Sequence, residues 1–164
     1  MRRIVWLCLV GVVLGTMPAF AADVLTDFNG SPQQLTKYTG KGKWLVVMIW
    51  ASDCHVCNAE VHNYVDFQTF HSQQDATVLG VSMDGVAKKK DALAFIKRHE
   101  VNFPNLIGEP EAVAKWYTQL TDRPWVGTPS FLIYSPAGEL KAQQVGAVPP
   151  ELIEAYIKSH ASGS

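Results

Sequence analysis

Seven apolar residues in a row, Trp44-Leu45-Val46-Val47-Met48-Ile49-Trp50, lead into Ala51-Ser52-Asp53-Cys54-His55-Val56-Cys57-Asn58-Ala59-Glu60. An unbroken run of that length, rich in β-branched residues, reads as a strand covered on both faces, as at the centre of a parallel sheet. The residues after it take up a helical period, with Cys57, Val61, Tyr64, Val65 and Gln68 on one stripe and Ser52 or Asp53 as the expected N-cap. A strand that feeds a helix through C-x-x-C sets the first thiol at the positive end of the helix. That arrangement is a redox motif with a mechanism.

The rest of the chain supplies strands and helices in alternation. Val24 to Phe28 reads as a short strand turned at Asn29-Gly30-Ser31-Pro32, with Gln33 to Leu35 returning beside it. Thr77 to Ser82 is a second buried strand, followed by a helix from about Val86 to His99 with Leu93 and Ile96 inward. An extended stretch Asn105-Leu106-Ile107 precedes a helix opened by Pro110, in which Val113, Trp116, Tyr117 and Leu120 share a face. Those aromatics read as core rather than as a cofactor box. Phe131 to Tyr134 is a strand, Pro136-Ala137-Gly138 a turn, and Glu139 to Val145 an edge strand. Pro149-Pro150 opens a last helix with Leu152, Tyr156 and Ile157 inward. The class is α/β, a mostly parallel central sheet with an antiparallel closing hairpin.

Residues 1–21 read as a secretory signal peptide, with Arg2-Arg3, an apolar stretch from Ile4 to Leu14, and the small-residue cleavage pattern Ala19-Phe20-Ala21. The apolar stretch is shorter than the roughly 20 residues of a spanning helix, so an uncleaved anchor is the lesser reading. Residues 22–164 then form one exported domain, periplasmic or otherwise extracytoplasmic. The full chain carries 14 basic and 15 acidic residues, and cleavage would remove two of the basic ones. The resulting mild acidity, with no basic stripe, speaks against nucleic acid as a partner.

Of three cysteines, Cys8 lies in the leader, which leaves Cys54 and Cys57. Export favours disulfides, so a structural staple is the plain reading, but closing a four-residue loop is worth only about 1.9 kcal/mol. Zinc would need His55 and His62 to complete a four-ligand site, since there is no second C-x-x-C. No cofactor is called for. As a redox pair, Cys54 would be the attacking thiolate and Cys57, one turn further in, the resolving thiol. Asp53 beside Cys54 disfavours a second negative charge unless it is spent as a cap, whereas a protonated His55 favours it. Glu60 falls on the Cys57 face, where a carboxylate can take the Cys57 proton; the alternative is a solvated surface acid.

Trp50-Ala51-Ser52-x-Cys54-x-x-Cys57-x-x-Glu60 resembles the active-site stretch of thioredoxin-like proteins of the exported TlpA/ResA/DsbE branch. Asp84 after Gly80-Val81-Ser82, the stretch Gly127-Thr128-Pro129-Ser130-Phe131-Leu132-Ile133, and the turn before the final strand fit the same pattern. The resemblance spans essentially the whole mature chain. It implies a thioredoxin fold with an N-terminal hairpin and a strand-and-helix insertion between Ser82 and Pro110. It also implies a cis Pro129 facing the cysteines, and substrate contacts from Thr128, Pro129, Trp50 and His55.

The activity so implied is thiol–disulfide exchange, foremost reduction of protein disulfides by a monomer. A membrane thiol donor of the DsbD/CcdA type would recharge it, and cytochrome c maturation is a context. Asp53 in place of the usual tryptophan, and His55-Val56 between the cysteines, leave the redox direction open. A dithiol oxidase or isomerase, and a non-catalytic copper or haem-delivery carrier, stay as alternatives. A peroxidase is weaker, because the T-x-x-C arrangement around a peroxidatic cysteine is missing.

Overall fold

The computed structural model describes residues 24–161; the expected leader lies outside them. Strands β1 (Leu25–Thr26), β2 (Pro32–Gln33), β3 (Trp44–Trp50), β4 (Ala76–Ser82), β5 (Asn105–Ile107), β6 (Ser130–Tyr134) and β7 (Leu140–Val145) form one sheet. Their order is β2-β1-β5-β4-β3-β6-β7. Helices α1 (His55–His71), α2 (Lys89–Arg98), α3 (Pro110–Thr121) and α4 (Pro150–Ala161) cover it. Strand β3 lies parallel to β4 and antiparallel to β6, and β5 lies parallel to β4. This is the α/β thioredoxin-like architecture expected, but the seven-stranded sheet is mixed rather than mostly parallel: β3–β4 and β4–β5 pair parallel, whereas β1–β2, β1–β5, β3–β6 and β6–β7 pair antiparallel.

The continuous apolar run of β3 has the physical cause inferred for it, because both faces are buried. Val46, Met48 and Trp50 point into a core shared with Cys57, Val61, Tyr64 and Phe67 of α1, Phe95 of α2 and Ile153 and Ile157 of α4. Leu45, Val47 and Ile49 alternate onto the opposite face against Val113 and Tyr117 of α3. Between Ser82 and Pro110 the chain adds α2 and β5, the insertion that the resemblance implied.

Local expectations are corrected at four places. The N-terminal hairpin is shorter than read, and residues Leu35–Lys37 form a 3-10 turn instead of extending it. The second helix begins at Lys89, three residues later than Val86. Its phase is then set by Ala92 and Phe95, and Leu93 is left 43 % exposed. In α4 the inward residues are Ile153 and Ile157, while Leu152 is 63 % exposed. The fourth correction is the α1 cap, described with the site.

His71 near the end of α1 joins that helix to α4. Its Nδ1 lies 2.9 Å from Asp75 and its Nε2 3.2 Å from Glu154. Burial pulls the imidazole toward its neutral form, but the hydrogen bonds to Asp75 and then Glu154 outweigh it and hold the pKa above the ordinary value. A raised imidazole pKa stabilises the fold fully below the unfolded value of ~6.5 and loses that contribution as pH climbs through the folded value. His71→Gln should therefore cost about 0.2–1 kcal/mol near pH 6, a range that reflects the half-exposed carboxylates, and less at pH 8.5. Urea unfolding of both proteins at the two pH values measures this; an equal loss at both would show that the ion pairs contribute nothing.

Candidate active site

The cysteine loop leaves the C-terminal end of β3, and two polar anchors fix it. Asp84, a buried carboxylate after β4, accepts the Ser52 amide through both oxygens at 3.1 and 3.0 Å. It also accepts the Ser52 and Ser82 hydroxyls, each at 2.7 Å. From the other side, the Asn58 side-chain amide donates to the carbonyls of Ser52 at 3.1 Å and Cys54 at 2.8 Å. The turn is thus held between a buried acceptor and a helix-borne donor.

Cys54 and Cys57 are joined as a disulfide, with Cα atoms 5.2 Å apart. The α1 N-cap is Cys54 itself rather than Ser52 or Asp53, and its Sγ accepts the Cys57 amide at 3.0 Å. The physical reason is that Asp84 already engages the Ser52 hydroxyl, while Asp53 turns outward to Lys88. Cys54 is half-buried, whereas Cys57 is fully buried among the core side chains of α1. The sulfur that can be reached is the one at the positive end of the helix.

Thr128-Pro129 comes to the same edge. Strand β6 is antiparallel to β3 with Ser130 opposite Ile49, so continuing that register sets Pro129 beside Trp50 and Thr128 beside Ala51. The Thr128–Pro129 peptide bond is cis, as the resemblance implied. The Pro129 carbonyl accepts the Gly146 amide at 2.9 Å, and the Ser130 hydroxyl donates to the Gly127 carbonyl at 2.6 Å, which ties down the loop. Thr128 is half-buried, and Val126 nearby is 69 % exposed.

The remaining expected site residues divide. His55 is exposed at the first position of α1. Glu60 is half-buried one turn beyond Cys57 and accepts from the Asn63 side chain at 3.2 Å. Trp50 is corrected: at 1 % exposure its side chain cannot meet a substrate. The ring stacks on Phe95, with centroids 4.2 Å apart, and its Nε1 donates to Asn105 at 3.0 Å. It is a core residue under the site.

Asp53 faces Lys88, whose Nζ donates to it at 2.7 Å. That hydrogen bond, with the charge behind it, holds the Asp53 carboxyl below the usual range. The pair offsets the repulsion that a lone carboxylate beside Cys54 would exert on a thiolate. In the reduced protein, Lys88→Ala should lower the Cys54 thiolate fraction at pH 7 by less than about fivefold, the reach of a ~1 kcal/mol surface interaction. Asp53→Asn should reverse the change. The rate of Cys54 alkylation against pH measures both, and no response in either variant would mean that the pair has no bearing on the sulfur.

The sequence reading passed over Asn58, Arg98, His99 and the use of Asp53 by Lys88. Asn58 could have been flagged by its place directly after Cys57; the others lie 35 to 41 residues from their partners and leave no local signal.

The AhpC/TSA family matches residues 13–143 of the chain. A thiol-disulfide oxidoreductase ResA from Geobacillus kaustophilus is 28 % identical over 145 residues, covering 88 % of this chain and 75 % of the relative. Its counterpart in Geobacillus thermodenitrificans is 26 % identical over the same shares. Among solved structures, a thioredoxin-family thiol:disulfide interchange protein from Chlorobium tepidum superposes with a TM-score of 0.66 at 19 % identity, covering 81 % of this chain and 88 % of that one. A secreted Mycobacterium tuberculosis disulfide oxidoreductase does so at 0.60 and 21 %, covering 82 % and 92 %. The two superpositions show a shared fold.

Proposed function

Because the chain belongs to the AhpC/TSA family, within its thioredoxin-like members, we propose that it is an exported thiol–disulfide oxidoreductase of the ResA/DsbE type that works as a reductase of protein disulfides. The observation that carries this reading is the asymmetry of the disulfide. Cys54 is half-buried at the helix N-terminus and Cys57 is fully buried behind it, while the register of β6 brings cis Pro129 to the same end of β3.

In the reductive direction the Cys54 thiolate attacks one sulfur of a substrate disulfide. The substrate S–S bond breaks, a mixed disulfide forms, and the second substrate sulfur leaves as a thiolate that takes a proton. Cys57 then loses its proton, with Glu60 as the proposed acceptor through an intervening water, and attacks Cys54 Sγ. The first substrate sulfur leaves as a thiol. The substrate gains two electrons and two protons, and the protein is left in the disulfide form. The Cys57 amide, which donates to Cys54 Sγ, stabilises the attacking thiolate, and the α1 dipole adds to it. Thr128 holds the substrate segment by its backbone, with buried Pro129 shaping that edge, and His55 borders it. A membrane thiol donor of the DsbD/CcdA type recharges the pair, and apocytochrome c disulfides are a fitting substrate class. The protein acts as a monomer in the periplasm or its equivalent.

Among the described residues no helix is long and apolar enough to cross a membrane. Equilibration of the pair with glutathione and dithiothreitol tests the direction. A reduction potential below about −260 mV is expected of a reductase, and one near about −120 mV, as for strong dithiol oxidants, would overturn it in favour of an oxidase.

A further inference from the structure

Behind the cysteine turn lies a polar cluster that the exchange mechanism does not use. Asn58 gives both protons of its side-chain amide to the carbonyls of Ser52 and Cys54. Its Oδ1 accepts from an Arg98 terminal nitrogen at 2.6 Å and lies 3.0 Å from His99 Nε2. The orientation of the amide is fixed, since two carbonyls face its nitrogen and a guanidinium faces its oxygen. His99 Nε2 lies between two partners, Oδ1 of Asn58 and the Arg98 Nε–H, which donates to it at 3.3 Å. His99 Nδ1 lies 3.1 Å from His62 Nε2. His99 is buried, its ring tilted against Phe95 with centroids 4.6 Å apart, while His62 is exposed on α1.

Resting on the exchange reading above, we propose that Asn58 is a positioning residue for Cys54: held by Arg98, it fixes the Ser52–Cys54 turn so that Sγ stays at the α1 N-cap when the disulfide opens. Opening the disulfide removes the covalent tie between Cys54 and α1. The hydrogen bond from the Cys57 amide to Sγ then persists only if the turn keeps its place, and that bond favours the thiolate.

Burial, then Arg98 and His62, keep the His99 pKa below its ordinary value, so the ring behind Asn58 favours its neutral form.

The test is Cys54 alkylation by iodoacetamide from pH 4.5 to 9.5 in the reduced full chain, with Cys57 protected by burial, together with the equilibrium against glutathione. Asn58→Ala should lower the thiolate fraction at pH 7 by about threefold to tenfold, the worth of one or two hydrogen bonds. It should move the glutathione equilibrium toward the protein disulfide by a similar factor. Arg98→Gln, on an exposed side chain, should shift both in the same direction by less, so the inference does not hang on how Asn58→Ala folds. Unchanged profiles in Asn58→Ala and Arg98→Gln would overturn the positioning role. A wild-type protein that does not exchange with glutathione at all would instead overturn the reading of the site as a redox couple.

Discussion

Cys57→Ser should capture a disulfide substrate as a stable covalent adduct, and Cys54→Ser should capture none. The burial of the two sulfurs dictates the order. Cys57 is fully buried beneath the first turn of α1, so an incoming disulfide meets only Cys54. With Cys57 replaced, the mixed disulfide at Cys54 has no internal thiol to resolve it and waits for one from solution. Effective molarities of well-placed intramolecular groups reach about 10⁵ M or more. Against millimolar external thiol, release should then slow by at least about 10³-fold. Cys54→Ser should leave no measurable turnover, because the serine hydroxyl cannot replace a thiolate and the remaining thiol is out of reach. Non-reducing electrophoresis with a single-disulfide model protein reads both results. An adduct on Cys54→Ser, or prompt release from Cys57→Ser, would sink the assignment of attacking and resolving sulfur.

The central strands were legible because burial on both faces needs no alternation: β3, β4 and β6 read as strands without knowledge of their neighbours. The preference for parallel crossovers then left few sheets to build, and the observed order is one of them. Helix phase was less legible. Leu93 was expected inward by hydrophobicity, yet the aromatic ring of Phe95, stacked on Trp50, fixes the rotation of α2 and leaves Leu93 in water. The cap of α1 was missed for a related reason. Ser52 and Asp53 are good caps in isolation, but each finds a tertiary partner, Asp84 for one and Lys88 for the other. Hydrogen bonds of that kind carry no period. The C-x-x-C could be found from four adjacent residues, while the Asn58–Arg98–His99–His62 cluster that supports it exists only once α2 has packed beside α1.

Trp50→Ala should destabilise the fold by about 3–5 kcal/mol, the range for emptying a large aromatic site in a packed core. Placed directly before the cysteine loop, the ring invites a reading as a substrate platform, and the structure gives it other work. It sits between the β3 backbone and Phe95, and so joins the central strand to the inserted helix. Its Nε1 donates to Asn105 on β5, the inserted strand, across Gly80 of β4. Gly80 is required there, because a Cβ would fall on the Asn105 side chain. Trp50→Phe separates the two contributions. It keeps most of the stacking and leaves the Asn105 oxygen without its donor, so the expected loss is about 1–3 kcal/mol. Urea unfolding monitored by far-UV circular dichroism gives both values. If Trp50→Ala instead kept its stability within about 1 kcal/mol and lost affinity for a peptide disulfide, the ring would be a substrate contact after all. With the expected result, the insertion is a brace: α2 and β5 hold the end of β3 from which Cys54 is presented, through one indole.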